Sequence, residues 1–219
     1  MNNLIFKPET EWVKPTEFPD LTDRPEIAID LETQDPDLKS KGSGSIIKNG
    51  KVVGISVATE GFVGYFPFDH EGGDNLEKSE VIQWFTDLCK SNSLKIFHNA
   101  MYDVCWIRSM GIEIKGDVVD TMIAASLINE NRFRYDLNSL GREYVGWGKA
   151  ETALRQAAKE WGVDPKSELW KLPAMYVGTY AERDAELTYN LWKALKKELS
   201  SQDLEAIFEL ESNLFPCLV

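Results

Sequence analysis

Cysteine is scarce in this chain. The three residues among 219, Cys89, Cys105 and Cys217, are scattered, odd in number and form no CxxC pair. That argues against a disulfide framework or a cysteine-type zinc site, and a reducing cytoplasm is the expected compartment. Long apolar runs are also missing. No uncharged stretch approaches the ~18–20 residues of a membrane span, and the N-terminus, "MNNLIFKPETEW", lacks a secretory h-region. Basic charge is in deficit: 24 Lys and Arg face 36 Asp and Glu, giving a net charge of −12 and a pI of about 4.7. Tight, non-specific binding to a nucleic-acid backbone runs on clustered Lys and Arg, so the balance counts against it. It still permits an enzyme that holds a few nucleotides through metal ions and local contacts. Internal repeats and low-complexity tracts are absent too.

What remains is enough for a substantial core. The chain is 43% hydrophobic, with seven Trp, ten Phe and seven Tyr, and its length favours one domain with a short extension. Residues 1–25 are proline-rich and turn-like, an N-terminal arm that Trp12 and Phe18 are placed to anchor. "EIAIDLETQ" reads as a first strand. Residues 35–50 form a loop with Gly and Ser breakers, ending in the turn signal Asn49-Gly50. "KVVGISVATEGFVGYFPFD" then gives two strands around Glu60-Gly61, so three adjacent antiparallel strands are expected.

The rest alternates. "SEVIQWFTDLCKS" has helical spacing, with Val81, Ile82, Phe85, Leu88 and Cys89 on one face. "LKIFHNA" is a short strand running into the helix "MYDVCWIRSMG". "GDVVDTMIAASLIN" is a brief strand and a helix with Asp120 as N-cap. Helices follow at "YDLNSLGREYVG" and "KAETALRQAAKEWG", and a long one begins near Val177 to Tyr180. The tail after residue 200 is helical and, unpartnered, would expose Ile207, Phe208, Leu210, Leu214 and Phe215. Strands first, then alternating helix and strand, predict an α/β domain on a mixed sheet flanked by helices.

Three segments carry candidate chemistry. Asp30 and Glu32 follow the apolar run Ile27-Ala28-Ile29, and strand periodicity puts both on one side at the strand's end. Such a D-x-E pair is common in an acidic chain, but a strand end is where a sheet presents its crevice. In "HNAMYD", Asn99 and Asp103 share one helical face, although Asn99 also qualifies as a plain helix cap. In "YAERDAELT", Tyr180 and Asp184 lie at i and i+4, with Glu182 and Arg183 off that face as solvated charges. Four gathered carboxylates repel unless a cation compensates them. Oxygen ligands without Cys or His suit Mg²⁺ or Mn²⁺. Two such ions would clamp the attacking and leaving oxygens of a phosphoryl displacement.

"AIDLET", "HNAMYD" and "YAERDAELT", in that order, resemble the three exonuclease motifs of the DEDD superfamily of 3′→5′ exonucleases. The similarity is closest to the proofreading domains of family A DNA polymerases, phage-type ones in particular, and covers nearly the whole chain. One branch of the superfamily has a His five residues before the final Asp; the other has a Tyr four before it. The only histidines, His70 and His98, lie upstream of the third motif, so the tyrosine branch is the one available.

The resemblance implies a ribonuclease H-like sheet of three antiparallel and then parallel strands. It implies an exonuclease domain over 26–200 and a segment at 201–219 similar to the linker into a polymerase domain, the polymerase being absent from these residues. It implies that Asp30 bridges two divalent ions, Mg²⁺ or Mn²⁺, with Glu32 and Asp184 completing the tighter site and Asp103 holding the second ion. Tyr180 would orient the attacking water, and Thr33, Asn99 and Tyr102 would line the terminal nucleotides of a single-stranded DNA 3′ end. A polymerase domain in cis or in trans is the implied partner, with no membrane, and the host cytoplasm is the implied location if the chain is phage-encoded. Leu38 is displaced by an inserted Asp-Pro from the place where many relatives carry a wedging Leu, so no wedge is assigned. Lys39, Lys41, Lys48 and Lys51 are expected to reach the DNA backbone. An RNA-trimming exonuclease and an inactive binding module of the same fold are the competing readings.

Overall fold

In the computed structural model, residues 10–217 are described. The five strands are β1 (Glu26–Gln34), β2 (Lys51–Thr59), β3 (Phe62–Pro67), β4 (Leu94–Phe97) and β5 (Val118–Asp120), in the order β3-β2-β1-β4-β5. The pairs β1–β2 and β2–β3 are antiparallel, whereas β1–β4 and β4–β5 are parallel. This is the expected mixed sheet, with β1 at the seam between its two halves.

The helices are α1 (Leu38–Lys41), α2 (Gly44–Ile47), α3 (Lys78–Lys90), α4 (Ala100–Ser109), α5 (Thr121–Ile128), α6 (Leu137–Tyr144), α7 (Thr152–Trp161), α8 (Gly178–Ser201) and α9 (Glu205–Leu214). Strand alternation sorts the two faces of β1. Ile27, Ile29 and Leu31 pack into one core with Val81, Phe85 and Leu88 of α3 and Val104 and Ile107 of α4. Ala28 packs on the other side with residues of α5, α6 and α8. Asp30 and Glu32 continue the Ala28 row, so the face that carries acids is the face that α8 covers. In α8, Ala181, Ala185, Thr188, Leu191, Trp192, Leu195 and Leu199 are buried. Their i, i+3, i+4 spacing fixes which side of that helix meets the sheet.

The arm before β1 is held as expected. Trp12 is buried, donates its indole N–H to Glu182 (3.1 Å) and lies against Gly178, where a Cβ would come within 2.2 Å of the ring. Phe18 stacks on Phe66, with ring centroids 5.7 Å apart. Residues 1–9, the outer part of the arm, lie outside the described residues.

Two expectations are corrected. Residues 35–50 are not an open loop but carry two one-turn helices, α1 and α2, with the Asp35 carboxylate accepting the Gly44 N–H (3.1 and 3.2 Å). In the tail, Phe208 is buried against Trp192 (centroids 5.4 Å apart) and Phe215 joins the α3–α4 core, so the exposed apolar residues reduce to Ile207, Leu210 and Leu214. Among the described residues no helix is long and apolar enough to cross a membrane.

Candidate active site

The parallel partner β4 is short, and its register with β1 ends at Ala28. Beyond Ala28 the β4-side edge of β1 is left open, forming a crevice at the carboxyl end of the parallel strands, the usual place for a site in such sheets. Asp103, in the first turn of α4, fills part of the gap: its Oδ1 accepts the Leu31 N–H (3.1 Å). That bond ties the first turn of α4 to the backbone between the two acids of β1. The register of β1 against β2 shifts between Glu32 and Thr33, a bulge of the kind that re-aims side chains beside active sites.

The start of α4 is built by a neighbour. Asp120, at the end of β5, accepts the N–H groups of Asn99 (2.9 Å), Ala100 (2.8 Å) and Met122 (2.8 Å). One carboxylate thus caps α4 and α5 together. Asn99 stands at the N-cap position with φ 68°, yet its side chain makes no capping hydrogen bond and is exposed. Asn99 is therefore the N-cap by position only, with its side-chain amide exposed. On the same face, the Tyr102 hydroxyl hydrogen-bonds with Thr33 Oγ1 (2.7 Å) and donates to Asp35 (3.1 Å). Asp35, unnoticed in the motif, ties the inserted segment to Tyr102.

From the opposite side, α8 brings Tyr180 and Asp184 over the acid face of β1. Glu32 and Asp103 are 5% exposed and Asp184 is 2% exposed, whereas Asp30 is half-buried. Burial drives all four carboxyls toward the neutral form. Asp30 is pushed up to about 7, by burial and then by Asp184, with Lys149 opposing. Glu32 is raised by burial and then by Asp30 and Asp184, and Asp103 by burial and then by Asp30. Asp184 is raised by burial in spite of Lys149. Burial, followed by Asp184, Glu32 and Asp30, keeps the Tyr180 phenol protonated. The four acids from three elements therefore feel one another, as like charges crowded in low dielectric do.

Lys149, in the α6–α7 connection, was not singled out by any motif. Its ammonium forms an ion pair with Asp184 Oδ2 and donates to the Tyr180 hydroxyl (3.2 Å). Asp184 Oδ1 is buried without a partner. Among the described residues no three His, Cys, Asp or Glu side chains converge in a ready-made metal cage; one oxygen of Asp103 and one of Asp184 are already engaged. The donor set nonetheless fits a hard divalent ion: it is all carboxylate oxygen, and the orphaned Oδ1 lacks a cation.

Glu182 and Arg183, expected as solvated charges, are both engaged. Glu182 accepts from Trp12 and from the Tyr65 N–H (3.3 Å), and burial raises it to about 7. Arg183 lies 4.4 Å over the Trp147 ring and pairs with Glu186 (3.2 Å).

The model of the 3′-5′ exonuclease family matches residues 16–200, which takes in all three acid-bearing segments. The chain belongs to this family. A DNA-directed DNA polymerase of Pseudomonas phage M6 is 37% identical to this exonuclease chain over 98% of its length, covering 33% of the relative. DNA polymerase I of Borreliella burgdorferi is 28% identical over 83% of the chain and 18% of its own length. The exonuclease chain spans about a third of the length of the phage polymerases it matches. Among solved structures, Brucella melitensis NrnC gives a TM-score of 0.66 at 16% identity, covering 91% of this chain and 85% of that one. The catalytic core of RRP6 from Trypanosoma brucei gives 0.63 at 20% identity, covering 89% and 46%. These last two likenesses are of fold.

Proposed function

We propose that this exonuclease removes nucleotides one at a time from the 3′ ends of single-stranded or frayed DNA, as the proofreading part of a family A DNA polymerase. The observation that carries the reading is the crevice itself. Four buried or half-buried carboxyls from β1, α4 and α8 face one another, and among the described residues the cation that opposes their charge is the single ammonium of Lys149.

Asp30, Glu32, Asp103 and Asp184 would together hold two divalent ions, Mg²⁺ or Mn²⁺, with Asp30 shared between the two. When bound, such a pair lowers the pKa of a water and offsets charge on the attacking and leaving oxygens. Tyr180, its phenol held protonated by burial and the neighbouring acids, would orient an attacking water by hydrogen bonding rather than take its proton. Asn99 and Thr33 would contact the terminal nucleotide, and Tyr102, fixed by Thr33 and Asp35, offers a ring on which a base stacks. Lys39, Lys41, Lys48 and, at the start of β2, Lys51 contribute less cationic charge than their number implies. Lys41 pairs with Asp37 (2.8 Å) and Lys51 with Asp69 (2.6 Å), so that among the described residues Lys39 and Lys48 are the ones outside an ion pair and placed to meet a phosphate backbone.

We assign residues 1–25 to the arm, 26–200 to the exonuclease domain and 201–219 to the passage toward a polymerase domain, acting in cis or in trans in the cytoplasm. The test is a side-by-side digestion of 3′-labelled single-stranded DNA and RNA of one sequence. Labelled mononucleotide released first from DNA, and stopped by EDTA, is the expected result. Retained label or EDTA-resistant release overturns the mechanism, and faster release from RNA overturns the substrate.

A further inference from the structure

Lys149 enters the crevice, yet no step above uses it. Its position is built by three fastenings. Its own N–H donates to Asn138 Oδ1 of α6 (3.1 Å), and a Cβ on the preceding Gly148 would lie 2.2 Å from that same oxygen. Trp147 is held to α8 beneath the Arg183 guanidinium. The side chain then runs inward to Asp184 and Tyr180, with the ammonium 5.1 Å from the Tyr180 ring centre and 21% of the side chain open to solvent. A lysine kept in this way is not a solvated loop charge.

A protonated lysine has donors and no lone pair, so it takes a carboxylate oxygen and can never serve as a ligand beside a metal. A divalent ion taking the orphaned Oδ1 would share the carboxylate with the ammonium on Oδ2, and two cations on one carboxylate repel. We propose that Lys149 is an internal counter-cation that competes with a divalent ion for Asp184, so that metal entry exchanges one cation for another. This rests on the carboxylate-site reading above.

The ammonium offsets the crowded acids until the ion arrives, and then leaves Oδ2 still protonated. It has somewhere to go. A cavity of about 520 Å³ opens beside Tyr180 and is lined by Lys149 itself, Arg134, Arg155 and Lys166, together with Asp136 and Glu151. Arg155 is already paired with Glu151 there, so a lysine turned into the cavity would join Arg134 and Lys166 as cations open to the phosphates of a single strand. Lys149 is thus a positioning residue for the metal site, setting the concentration of ion at which the site fills.

The experiment is calorimetric titration of Mn²⁺ into the EDTA-stripped chain, wild type against Lys149→Met, with thermal melts of both. The methionine keeps the stem and removes the charge. Mn²⁺ should bind the variant at least about threefold more tightly, because a competitor is gone. The metal-free variant should melt several degrees lower than wild type, and Mn²⁺ should close that gap. Equal or weaker Mn²⁺ binding by Lys149→Met overturns the proposal. Should that variant fail to fold, Lys149→Arg is titrated instead. Its planar fork holds a carboxylate more firmly, so Mn²⁺ should bind it more weakly than wild type, and unchanged binding overturns the exchange. Asp30→Ala, with Lys149 untouched, tests the underlying site separately. Full Mn²⁺ binding in that variant would sink the carboxylate reading whatever Lys149 does.

Discussion

Asp69, at the turn between β3 and α3, and Asp184, in the second turn of α8, are both aspartates that hold lysine. Asp69 gives one oxygen to Lys51 and the other to Lys78, each at 2.6 Å, and remains partly open to water. Its pKa is lowered by those partners in spite of some burial. Asp184 gives one oxygen to Lys149, has the other buried without a partner, and is pushed upward by burial. The first is a satisfied surface pair of the kind that contributes about 0–1 kcal/mol. The second belongs to a group of acids that the fold holds together at a cost to its stability. A protein keeps such an arrangement where function needs it, so acid burial that one ammonium only partly offsets marks a candidate site better than acid count does.

The comparison breaks most visibly in activity. Asp30→Ala or Asp184→Ala should lower the rate of 3′ mononucleotide release by on the order of 10³-fold, as loss of a charge-stabilising group does. Asp69→Ala should leave it within about twofold. Comparable losses from all three would erase the distinction between the regions. A smaller effect is expected at Tyr180→Phe. One hydrogen bond to the water is lost while the acids stay, so the turnover rate should fall about tenfold, and a loss equal to that of Asp30→Ala would show that the phenol does more than orient.

Stability separates the two regions by sign. Between its ordinary value of 3.8 and about 7, Asp30 keeps its proton in the folded chain while the unfolded chain has lost it. The folded state binds more protons in that window, so wild-type stability falls as pH rises through it. Asparagine does not titrate. In EDTA, the stability of wild type relative to Asp30→Asn should therefore fall from pH 4 to pH 7, by about 1 kcal/mol once solvent screening of this half-buried group is allowed for. The buried His70 and His98, each held near 4, pull the opposite way but cancel in the difference. A flat difference in chemical denaturation would refute the assignment of Asp30 to the strained group. The smallest effect is at the satisfied pair, where Lys78→Ala should cost about 0.5 kcal/mol or less, with no change in cleavage.

Most of the sheet was legible because its signals are local. Period-two alternation, the turn at Glu60-Gly61 and the Asp120 cap each lie within a few residues of the element they define. The four acids were legible through their setting in recurring motifs, not through their own chemistry. What escaped depends on contacts across the chain. Lys149 meets Asp184 over a separation of 35 residues, and nothing in "GWGKAE" marks its destination. Glu182 reads as surface charge until Trp12, 170 residues earlier, is seen to donate to it. The order in residues 35–50 depends on two carboxylates, Asp35 reaching Gly44 and Tyr102 and Asp37 reaching Lys41 and Asn49. Phe208 and Phe215 look unpartnered in a terminal helix because the core that receives them is assembled from residues far upstream.

The central claim is that Asp30, Glu32, Asp103 and Asp184 form one cation site between β1, α4 and α8. Anomalous diffraction from crystals of the chain soaked in Mn²⁺ tests it most directly. The account predicts Mn²⁺ density bounded by Asp30, Glu32 and Asp184, with the Lys149 ammonium withdrawn from Oδ2. Mn²⁺ bound only at exposed acids such as Asp69, with Lys149 still seated on Asp184 at saturating metal, would contradict it.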